Sequence, residues 1–326
     1  MNILVTGGAG FIGSHVCEQL LRLGHSVSLI DEMNDFYPPR FKYENLAALE
    51  RTGPIRFHPG SICDETGVLA FFREVRPEAV IHLAARAGVR PSLELPLLYE
   101  RVNVHGTMVL LEACRMAGVR KFIFASSSSV YGLANQPPFR EDDAALRPIS
   151  PYAATKIAGE KICYTYSHLY GLQVVCLRFF TVYGPRQRPD LAIRKFIECI
   201  DRGEPIPLYG DGGSGRDYTY IDDIVHGVMA ALRLDCSYEV FNLGNSHPVT
   251  LAEVVRAIEE CLGKKAVIRR LPPQPGDVLL TCADIAKARA VLGYSPATPF
   301  LQGIEKSVAW HASRRATDAA SPAVSL

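Results

Sequence analysis

Several features are missing from this sequence of 326 residues, and each absence excludes a class of protein. No apolar run approaches the ~18 residues that a membrane-spanning helix needs, so we expect no membrane segment. The formal net charge is only +1, which gives no reason to expect binding to nucleic acid or to an anionic membrane surface. The first residues enter an apolar strand without a basic or long apolar leader, which predicts a cytoplasmic protein.

The cysteines lack any CxxC pair and are an odd-numbered, scattered set. They are Cys17, Cys63, Cys114, Cys163, Cys176, Cys199, Cys236, Cys261 and Cys282. Several lie in apolar runs typical of a core, which favours free buried thiols in a reducing compartment. A structural disulfide pair is the alternative, and we expect no metal site.

The chain is too long for one small core and is typical of two packed lobes. In the first half, apolar strands alternate with helical patterns, which predicts an α/β fold with a Rossmann-type, doubly wound parallel sheet. After Phe180 the pattern changes to a smaller, mixed α/β lobe. We therefore expect an NAD-binding domain over 1–180, joined again by part of 216–248, and a substrate lobe over 181–313. Residues 314–326 are expected to be a disordered tail.

Local patterns also predict where regular structure begins and ends. We expect a polar loop over 34–42 and an irregular stretch over 86–96. Helices are expected over 103–117 and 152–170, each closed by a glycine.

Three glycines follow the first predicted strand and point to a dinucleotide. Gly7, Gly10 and Gly13 have the spacing in which the first makes a tight turn, the second admits a pyrophosphate and the third allows close packing. The helix that begins inside this motif directs its N-terminus at the phosphates. Asp31 ends the second strand, where a carboxylate binds ribose hydroxyls and repels a 2′-phosphate. The pattern predicts NAD in preference to NADP.

Tyr152 and Lys156 lie four residues apart and therefore share one face of the predicted helix. An ammonium beside a phenol favours the phenolate, which prepares a tyrosine to act as a base. The motif alone is weak, because an exposed tyrosine–lysine pair has the same spacing. Four serines, 126–129, end the fifth predicted strand, and a structural role alone does not explain them. His82 lies in an apolar run, which favours a hydrogen-bonded core histidine over a base.

A resemblance follows from these residues taken together. The stretches TGGAGFIGSH, HLAA, SSSSVYG, YAATK, RFFTVYGPRQRPD and RDYTYIDD resemble the extended short-chain dehydrogenase/reductases that act on nucleotide sugars. Within that superfamily the chain is most similar to UDP-glucuronate 4-epimerases. The stretches that carry this closer likeness are AGVRPSLELP, YSHLYGL, FTVYGPRQRPD, NLGNSHPVTL and PPQPGDV.

The resemblance implies a catalytic set and two binding sites. Tyr152 is implied as the base for the sugar 4-hydroxyl, with Lys156 lowering its pKa and Ser127 bonding the reacting hydroxyl. The implied NAD site is Gly7, Gly10, Phe11, Ile12, Gly13, Asp31, Asn34, Ile62, Leu83, Ala84, Ala85, Asn103, Tyr152 and Lys156. The implied UDP-sugar site is Arg90, Ser128, Thr181, Arg188, Ala192, Lys195, Tyr209, Arg216, Gln274 and Asp277. A homodimer built from the helices after Asn103 and from Tyr152 is also implied.

Two details separate the branches of this family. Related dehydratases and decarboxylases carry acidic residues where this chain has Ser128 and Ser129, so both activities rank below epimerisation. Thr181 and Arg188 offer a hydroxyl and a guanidinium to a C6 carboxylate, which favours a uronate. The alternatives are a 4-epimerase of neutral UDP-hexoses, such as UDP-glucose or UDP-N-acetylglucosamine, and a non-catalytic NAD-binding regulator.

Overall fold

The fold is dominated by one parallel sheet with helices on both faces. A computed structural model describes residues 1–133, 136–143, 146–210, 212–272 and 278–320, with side chains through residue 316. Within these residues the strands are β1 (Asn2–Thr6), β2 (Ser26–Asp31), β3 (Ile55–Pro59), β4 (Ala79–His82), β5 (Lys121–Ser127), β6 (Gln173–Phe179), β7 (Thr181–Tyr183), β8 (Pro205–Tyr209), β9 (Gly215–Tyr220), β10 (Tyr238–Leu243), β11 (Pro248–Thr250) and β12 (Val267–Leu271).

Helices connect most of these strands. They are α1 (Phe11–Arg22), α2 (Arg40–Thr52), α3 (Glu65–Val75), α4 (Val89–Glu94), α5 (Pro96–Glu100), α6 (Gly106–Ala117), α7 (Pro151–Tyr170), α8 (Ala192–Arg202), α9 (Ile221–Arg233), α10 (Leu251–Leu262), α11 (Ala286–Leu292) and α12 (Phe300–Ala320). Among the described residues, no helix is both long enough and apolar enough to cross a membrane.

Seven strands form the large sheet in the order β10-β6-β5-β4-β1-β2-β3, and every neighbouring pair is parallel. The order reverses between β4 and β1, so the connections that follow these two strands leave on opposite faces of the sheet and form a crevice at the carboxyl ends. The predicted fold class, a doubly wound parallel sheet with a smaller mixed lobe, is confirmed. The domain limits expected from the sequence stay a prediction.

Successive residues of each strand point to opposite faces of the sheet, and both faces are buried. Ile123 packs in the cluster that contains α1 and α9, whereas its neighbours Phe122 and Phe124 pack in the cluster that contains α3, α6 and α7. A strand buried on both faces has to be apolar at nearly every position, which explains the short, continuous apolar runs.

Two small sheets lie beyond the large one. β11, β9 and β7 form a three-stranded sheet in which β9 pairs antiparallel with β11 and parallel with β7. β12 and β8 form a parallel pair. β7 follows β6 after a single residue, Phe180, so the second lobe begins directly at the edge of the crevice.

Helix α7 carries the predicted catalytic pair, and its N-terminus is well defined. Ser150 caps the helix by accepting a hydrogen bond from the Ala153 backbone N–H at 3.2 Å, and Pro151 occupies the first turn. Gly171 ends the helix with a φ of +68°, a conformation that favours glycine.

Three expectations about regular structure are corrected. The loop expected over 34–42 gives way at Arg40 to helix α2, which was not predicted from the sequence. Leu46 and Leu49 of this helix are buried in the core. The irregular stretch over 86–96 contains the short helix α4. The helix expected from Asn103 is a π-helical turn over Arg101–His105 that continues into α6.

The segment after Trp310 is helical as far as Ala320, where the sequence pattern indicates disorder from residue 314. The physical reason is tertiary. Arg314 Nε lies 3.1 Å from a carboxylate oxygen of Glu44, and Arg315 forms an ion pair with Asp201. Asp201 also pairs with Lys264 and His311, so one carboxylate holds several groups around α12. Residues 321–326 lie outside the described part of the chain.

Candidate active site

A cavity lies at the carboxyl ends of the central strands of the large sheet. It is lined by every predicted cofactor residue except Asn103, and by Ser127, Thr181 and Arg188. The cavity therefore joins the glycine-rich loop, the predicted catalytic pair and the start of the second lobe in one space. Crevices at this edge of a doubly wound sheet are where such folds bind ligands.

The glycine-rich loop leaves no room for side chains where it turns. Gly7 has a φ of +70°, and a Cβ atom there would lie 2.8 Å from the backbone nitrogen of Ala84. A Cβ atom on Gly13 would lie 2.0 Å from the carbonyl oxygen of Gly7. Gly10 begins helix α1 in extended backbone conformation with no side-chain cap. The N-terminus of α1 is thus directed at the cavity, where it can bind an anionic group such as a diphosphate.

Asp31 is fixed as an acceptor at the end of β2. Its carboxylate accepts hydrogen bonds from the backbone N–H groups of Ala9, at 3.2 Å, and Met33, at 3.0 Å. Lys42 forms a buried ion pair with Asp31 at 3.1 Å, which compensates the carboxylate for its loss of water. A carboxylate held in this way at the cavity wall is placed to accept hydrogen bonds from the hydroxyl groups of a ribose.

Asn103 lies behind the cavity wall and is buried. Its Oδ1 accepts a hydrogen bond from the Arg86 backbone N–H at 2.8 Å, and its Nδ2 donates to the Arg86 carbonyl oxygen at 3.0 Å. Nδ2 also donates to Thr155 Oγ1 at 3.0 Å. Asn103 therefore fixes the chain after β4 to helix α7 and does not itself line the cavity.

The three predicted catalytic side chains meet in the cavity. Tyr152 and Lys156 share one face of α7, and the Lys156 Nζ lies 5.9 Å from the centre of the Tyr152 ring. Lys156 donates a hydrogen bond to the Ala125 carbonyl oxygen at 2.7 Å, which fixes it beside β5. Burial lowers the pKa of Lys156 to about 8. Ser127 ends β5 and accepts a hydrogen bond from the Ser129 backbone N–H at 3.2 Å.

The pKa of the Tyr152 phenol is raised overall, because burial outweighs two favourable neighbours. Burial raises the pKa of Tyr152, whereas a hydrogen bond with Ser127 and the positive charge of Arg188 lower it. Tyr99 packs edge-on against the Tyr152 ring with 6.2 Å between ring centres. The arrangement holds one phenol between a hydroxyl and a cation, which is what a proton-transferring tyrosine requires.

Arg188 reaches the cavity from the loop after β7. Its guanidinium stacks on the ring of Phe36 at 5.0 Å and forms a two-bonded ion pair with Asp190. The loop is held by Gln187, which donates to the Val182 carbonyl oxygen at 3.0 Å and accepts from the Arg194 backbone N–H at 3.1 Å. Thr181 begins β7 on the same wall of the cavity.

The other predicted substrate residues do not line this cavity. Arg90 stacks on the Tyr209 ring at 5.0 Å, which brings two of them together across the lobes. Arg216 is partly buried on β9, and Ala192 and Lys195 begin helix α8, where Lys195 is exposed. Ser128 lies in the single 3₁₀ turn after β5. Gln274 and Asp277 lie outside the described residues.

Several cavity residues were missed from sequence. The polar and aromatic ones include Glu32, Phe36, Tyr37, Lys42, Ser61 and Arg86. Glu32 directly follows Asp31, and Arg86 directly follows the Ala84-Ala85 pair, so adjacency to a predicted site residue was the available signal. Lys42 gave no such signal, because it reaches Asp31 from helix α2.

Two further expectations concern groups that do not take part in the site. His82 is a hydrogen-bonded core residue, as expected: its ring nitrogens lie 2.7 Å from Thr6 Oγ1 and 3.0 Å from Thr107 Oγ1. Burial lowers the pKa of His82 to about 3, which keeps the ring neutral. The nine cysteines are free thiols. The described residues contain no cluster of three or more His, Cys, Asp or Glu able to hold a metal ion.

Known proteins share both the sequence and the fold. The family described as GDP-mannose 4,6 dehydratase matches residues 4–307. A UDP-glucuronate 4-epimerase of Thermodesulfobacterium geofontis is 44% identical over 308 residues, which cover 94% of this chain and 95% of that protein.

Two solved structures are similar over nearly their whole length. A UDP-glucuronic acid 4-epimerase of Bacillus cereus, in complex with UDP-glucuronic acid and NAD, is 37% identical with a TM-score of 0.90, covering 96% of this chain and 100% of that one. A UDP-glucose 4-epimerase of Thermus thermophilus, in complex with NAD, is 37% identical with a TM-score of 0.85, covering 95% of this chain and 98% of that one.

The cavity described above fits NAD on its own geometry. The turn at Gly7 excludes side chains beside the N-terminus of α1, and Asp31 presents a fixed acceptor one strand away. The Nε atom of Arg86, a cavity residue, is buried and has no hydrogen-bond partner within the described structure, so a donor is available there for a ligand oxygen. The family match over residues 4–307, together with the 44% identity to a relative of the same length, shows that the chain belongs to the GDP-mannose 4,6-dehydratase family of extended short-chain dehydrogenase/reductase enzymes.

Proposed function

We propose that this enzyme interconverts UDP-glucuronate and UDP-galacturonate by an NAD-dependent inversion at C4 of the sugar. An NAD-dependent UDP-sugar 4-epimerase is the broader activity that the relatives and the site support, and the uronate is the finer part of the proposal. The observation that carries the choice of sugar is the position of Arg188, a fork-shaped cation in the same cavity as Tyr152.

Tyr152 handles the proton of the reaction. As a phenolate it removes the proton from the sugar 4-hydroxyl, and after the 4-keto sugar has presented its other face it returns a proton to the oxygen. Ser127, hydrogen-bonded to Tyr152, orients the reacting hydroxyl. NAD, when bound, supplies the acceptor and donor of the C4 hydride. Because the hydride returns to the sugar, no external redox partner is needed.

Two cations support the phenolate in different ways. The charge of Arg188 lowers the pKa of Tyr152 directly. Lys156 is fixed through Ala125 one helical turn away, on the same face of α7 as Tyr152. The role expected for Lys156, lowering the pKa of Tyr152, stays a prediction. Its position is also suited to a hydrogen bond with the ribose next to the nicotinamide.

Arg188 and Thr181 are suited to hold the C6 carboxylate. A guanidinium binds a carboxylate through two parallel hydrogen bonds, and a threonine hydroxyl adds a third donor. Holding matters because the 4-keto uronate is a β-keto acid, which loses CO₂ when its carboxylate bond aligns with the ketone π-system. A carboxylate fixed away from that alignment retains its CO₂. Ser128 and Ser129 offer no carboxyl group to protonate or deprotonate an intermediate for elimination.

The same-fold rival is a 4-epimerase of neutral UDP-hexoses, which the likeness to the Thermus thermophilus enzyme favours. The two are separated by measuring kcat/KM for UDP-glucuronate and UDP-glucose on NAD-loaded protein. Loss of one charge-assisted hydrogen bond is worth a factor of about ten or more. We therefore expect UDP-glucuronate to be preferred by at least about tenfold. Equal values, or a preference for UDP-glucose, would favour the neutral rival.

The expected homodimer is also a proposal. Helices α6 and α7 carry exposed apolar residues, with Met108 42%, Met116 56% and Tyr164 53% exposed. Pairing with a second copy through these helices would cover them, as the family resemblance implies. Sedimentation equilibrium tests this: a mass near twice the 35.8 kDa of one chain supports the dimer, and a mass near that of one chain contradicts it.

A further inference from the structure

An ion pair between Glu32 and Arg86 spans the end of strand β1. The Arg86 Nη2 lies 3.0 Å from Glu32 Oε2. Glu32 directly follows β2, and Arg86 lies four residues after β4, so the two strands on either side of β1 are linked above it. Neighbouring strands are about 4.8 Å apart, so the pair spans roughly 10 Å.

Both residues line the cavity that holds the glycine-rich loop, and that loop directly follows β1. A dinucleotide bound to this fold lies across the carboxyl ends of the strands, with its diphosphate at the N-terminus of α1. Asp31 would hold the adenosine half of the dinucleotide, and Tyr152 would lie beside its nicotinamide half. A bound dinucleotide would therefore cross the line that joins Glu32 to Arg86.

The pair is anchored at both ends. Asn103 holds the backbone N–H and carbonyl of Arg86. Asn34 Nδ2 donates a hydrogen bond to Glu32 Oε2 at 2.9 Å. The Arg86 side chain is only 14% exposed, whereas that of Glu32 is 39% exposed. One end is therefore fixed and shielded, and the other is open to water and salt.

One hydrogen-bond donor of Arg86 is not used by Glu32. Its Nη2 serves Glu32, but its Nε is buried and has no hydrogen-bond partner among the described residues. A buried donor without an acceptor is costly, and because Arg86 lines the cavity, a turn of its side chain lets a ligand oxygen accept from Nε. The diphosphate and ribose oxygens of a dinucleotide meet that need.

We propose that the Glu32–Arg86 pair is a clasp over the bound dinucleotide, and that Arg86 Nε donates a hydrogen bond to it. Glu32 holds the guanidinium in place across the groove, and Arg86 makes the contact. The clasp slows the release of the cofactor. Slow release suits a reaction in which the cofactor is restored within every turnover and needs no exchange. The inference does not depend on which UDP-sugar is the substrate.

The test is the rate at which bound NADH leaves the protein, followed by the loss of its fluorescence after mixing with excess NAD. In Arg86→Gln, release should be faster than in the parent by about tenfold or more, as expected for the loss of a charge-assisted hydrogen bond. Glu32→Gln should accelerate release by a smaller factor, because Arg86 keeps its own donor. The double variant should release NADH no faster than Arg86→Gln alone, since the two residues act as one device.

Salt gives a second readout. Because Glu32 is partly exposed, its attraction to Arg86 is screened as ionic strength rises. NADH release from the parent should therefore accelerate with added salt, and more steeply than release from Arg86→Gln. The matched control is Arg115→Gln, which breaks an arginine–glutamate pair with Glu112 on α6, away from the cavity. Its rate of NADH release and the salt dependence of that rate should equal those of the parent.

The clasp is contradicted if Arg86→Gln releases NADH at the parent rate, or if parent and variant respond to salt alike. If Arg86→Gln fails to fold, the Glu32→Gln variant tests the proposal by itself. Its folding should be unaffected, because a partly exposed carboxylate is replaced by an amide of the same shape. Release from Glu32→Gln at the parent rate then overturns the proposal.

Discussion

Arg188 and Asp190 form an ion pair through two parallel hydrogen bonds, from Nε to Oδ1 at 3.0 Å and from Nη2 to Oδ2 at 2.7 Å. Arg188 is 17% exposed and Asp190 is 43% exposed. A carboxylate of the protein thus already occupies the geometry in which a guanidinium binds a carboxylate. Asp190 keeps Arg188 oriented and leaves its Nη1 side available. A uronate substrate either uses that side or displaces Asp190 toward water.

Replacing Arg188 tests whether it recognises the sugar carboxylate. Arg188→Gln removes the charge and the fork, so kcat/KM for UDP-glucuronate should fall by about tenfold to a hundredfold, while that for UDP-glucose changes less. Released CO₂ and UDP-pentose should rise relative to UDP-galacturonate, because the carboxylate is less restrained. Both products are measured by chromatography on the same reaction.

Thr181→Val is the companion variant, since it removes only a hydroxyl of similar size. It should shift the same product ratio in the same direction but less. An unchanged ratio of epimer to pentose in both variants would contradict the role given to these residues. Because both residues line the cavity in which the cofactor is expected, NADH binding is measured as a control and should be retained.

Tyr152→Phe tests the proton-handling step. Loss of a positioned acid–base group typically costs 10²–10⁴-fold in rate, and we expect kcat to fall by about that factor with NADH binding retained. The control is Tyr164→Phe, which makes the same change on an exposed face of α7 and should leave kcat unchanged. A Tyr152→Phe variant as active as the parent would mean that another group carries the proton.

Lys156 should make the protein less stable at neutral pH than a neutral residue would. Its pKa is lowered by burial from 10.5 to about 8, so the unfolded chain binds more protons than the folded one between those pH values. The free energy of unfolding of the parent should therefore rise with pH across that window, by about 3 kcal/mol relative to Lys156→Met. Below pH 8 Lys156 is protonated in the folded protein, so the cost of burying its charge lowers the free energy of unfolding in full.

Urea unfolding of NAD-free protein at pH 7.5 and pH 10 measures most of this difference, about 2.4 kcal/mol. Lys161→Met, an exposed lysine on the same helix, is the control and should follow the parent at both pH values. A parent and Lys156→Met whose stabilities differ by the same amount at both pH values would show that the Lys156 charge is not the cause.

A buried ion pair below the active site should be strongly coupled. Arg178 and Glu160 are 4% and 2% exposed, and they lie 2.8 Å apart. Ser126 donates to the same Glu160 carboxylate, and Arg178 also bonds Tyr131. Removing one partner leaves an uncompensated charge, so Arg178→Met should cost about 3–5 kcal/mol of unfolding free energy.

Replacing both partners should cost less than replacing either one. We expect Arg178→Met/Glu160→Met to be more stable than Arg178→Met alone, because no charge is left unpaired. Denaturant unfolding of the four proteins gives the coupling energy. Additive effects would show that the pair does not act as a unit.

The sequence predicted what short local patterns encode. The parallel strands, the glycine loop and the face shared by Tyr152 and Lys156 follow from spacing alone. Helix α2 was missed because its polar start resembles a loop, although Leu46 and Leu49 are buried in the core. The length of α12 depends on Asp201 and Glu44, which are distant in the chain.

Contacts between residues that are distant in the sequence could not be predicted either, because they also depend on the tertiary fold. Arg86 meets Glu32 across 54 positions, and only the strand order β4-β1-β2 brings them together. Asn103 was expected at the cofactor, which stays a prediction, and the fold adds a second role because Asn103 fixes the backbone of Arg86. Residue type shows that these groups are polar, and only the fold determines what each one holds.

The most direct test of the central claim uses UDP-glucuronate carrying deuterium at C4, given to NAD-loaded protein without added reductant. We expect UDP-galacturonate that retains the deuterium at C4, with the bound NAD unchanged in amount and little CO₂ released. Turnover of UDP-glucose but not UDP-glucuronate, or loss of the deuterium to solvent, would contradict it.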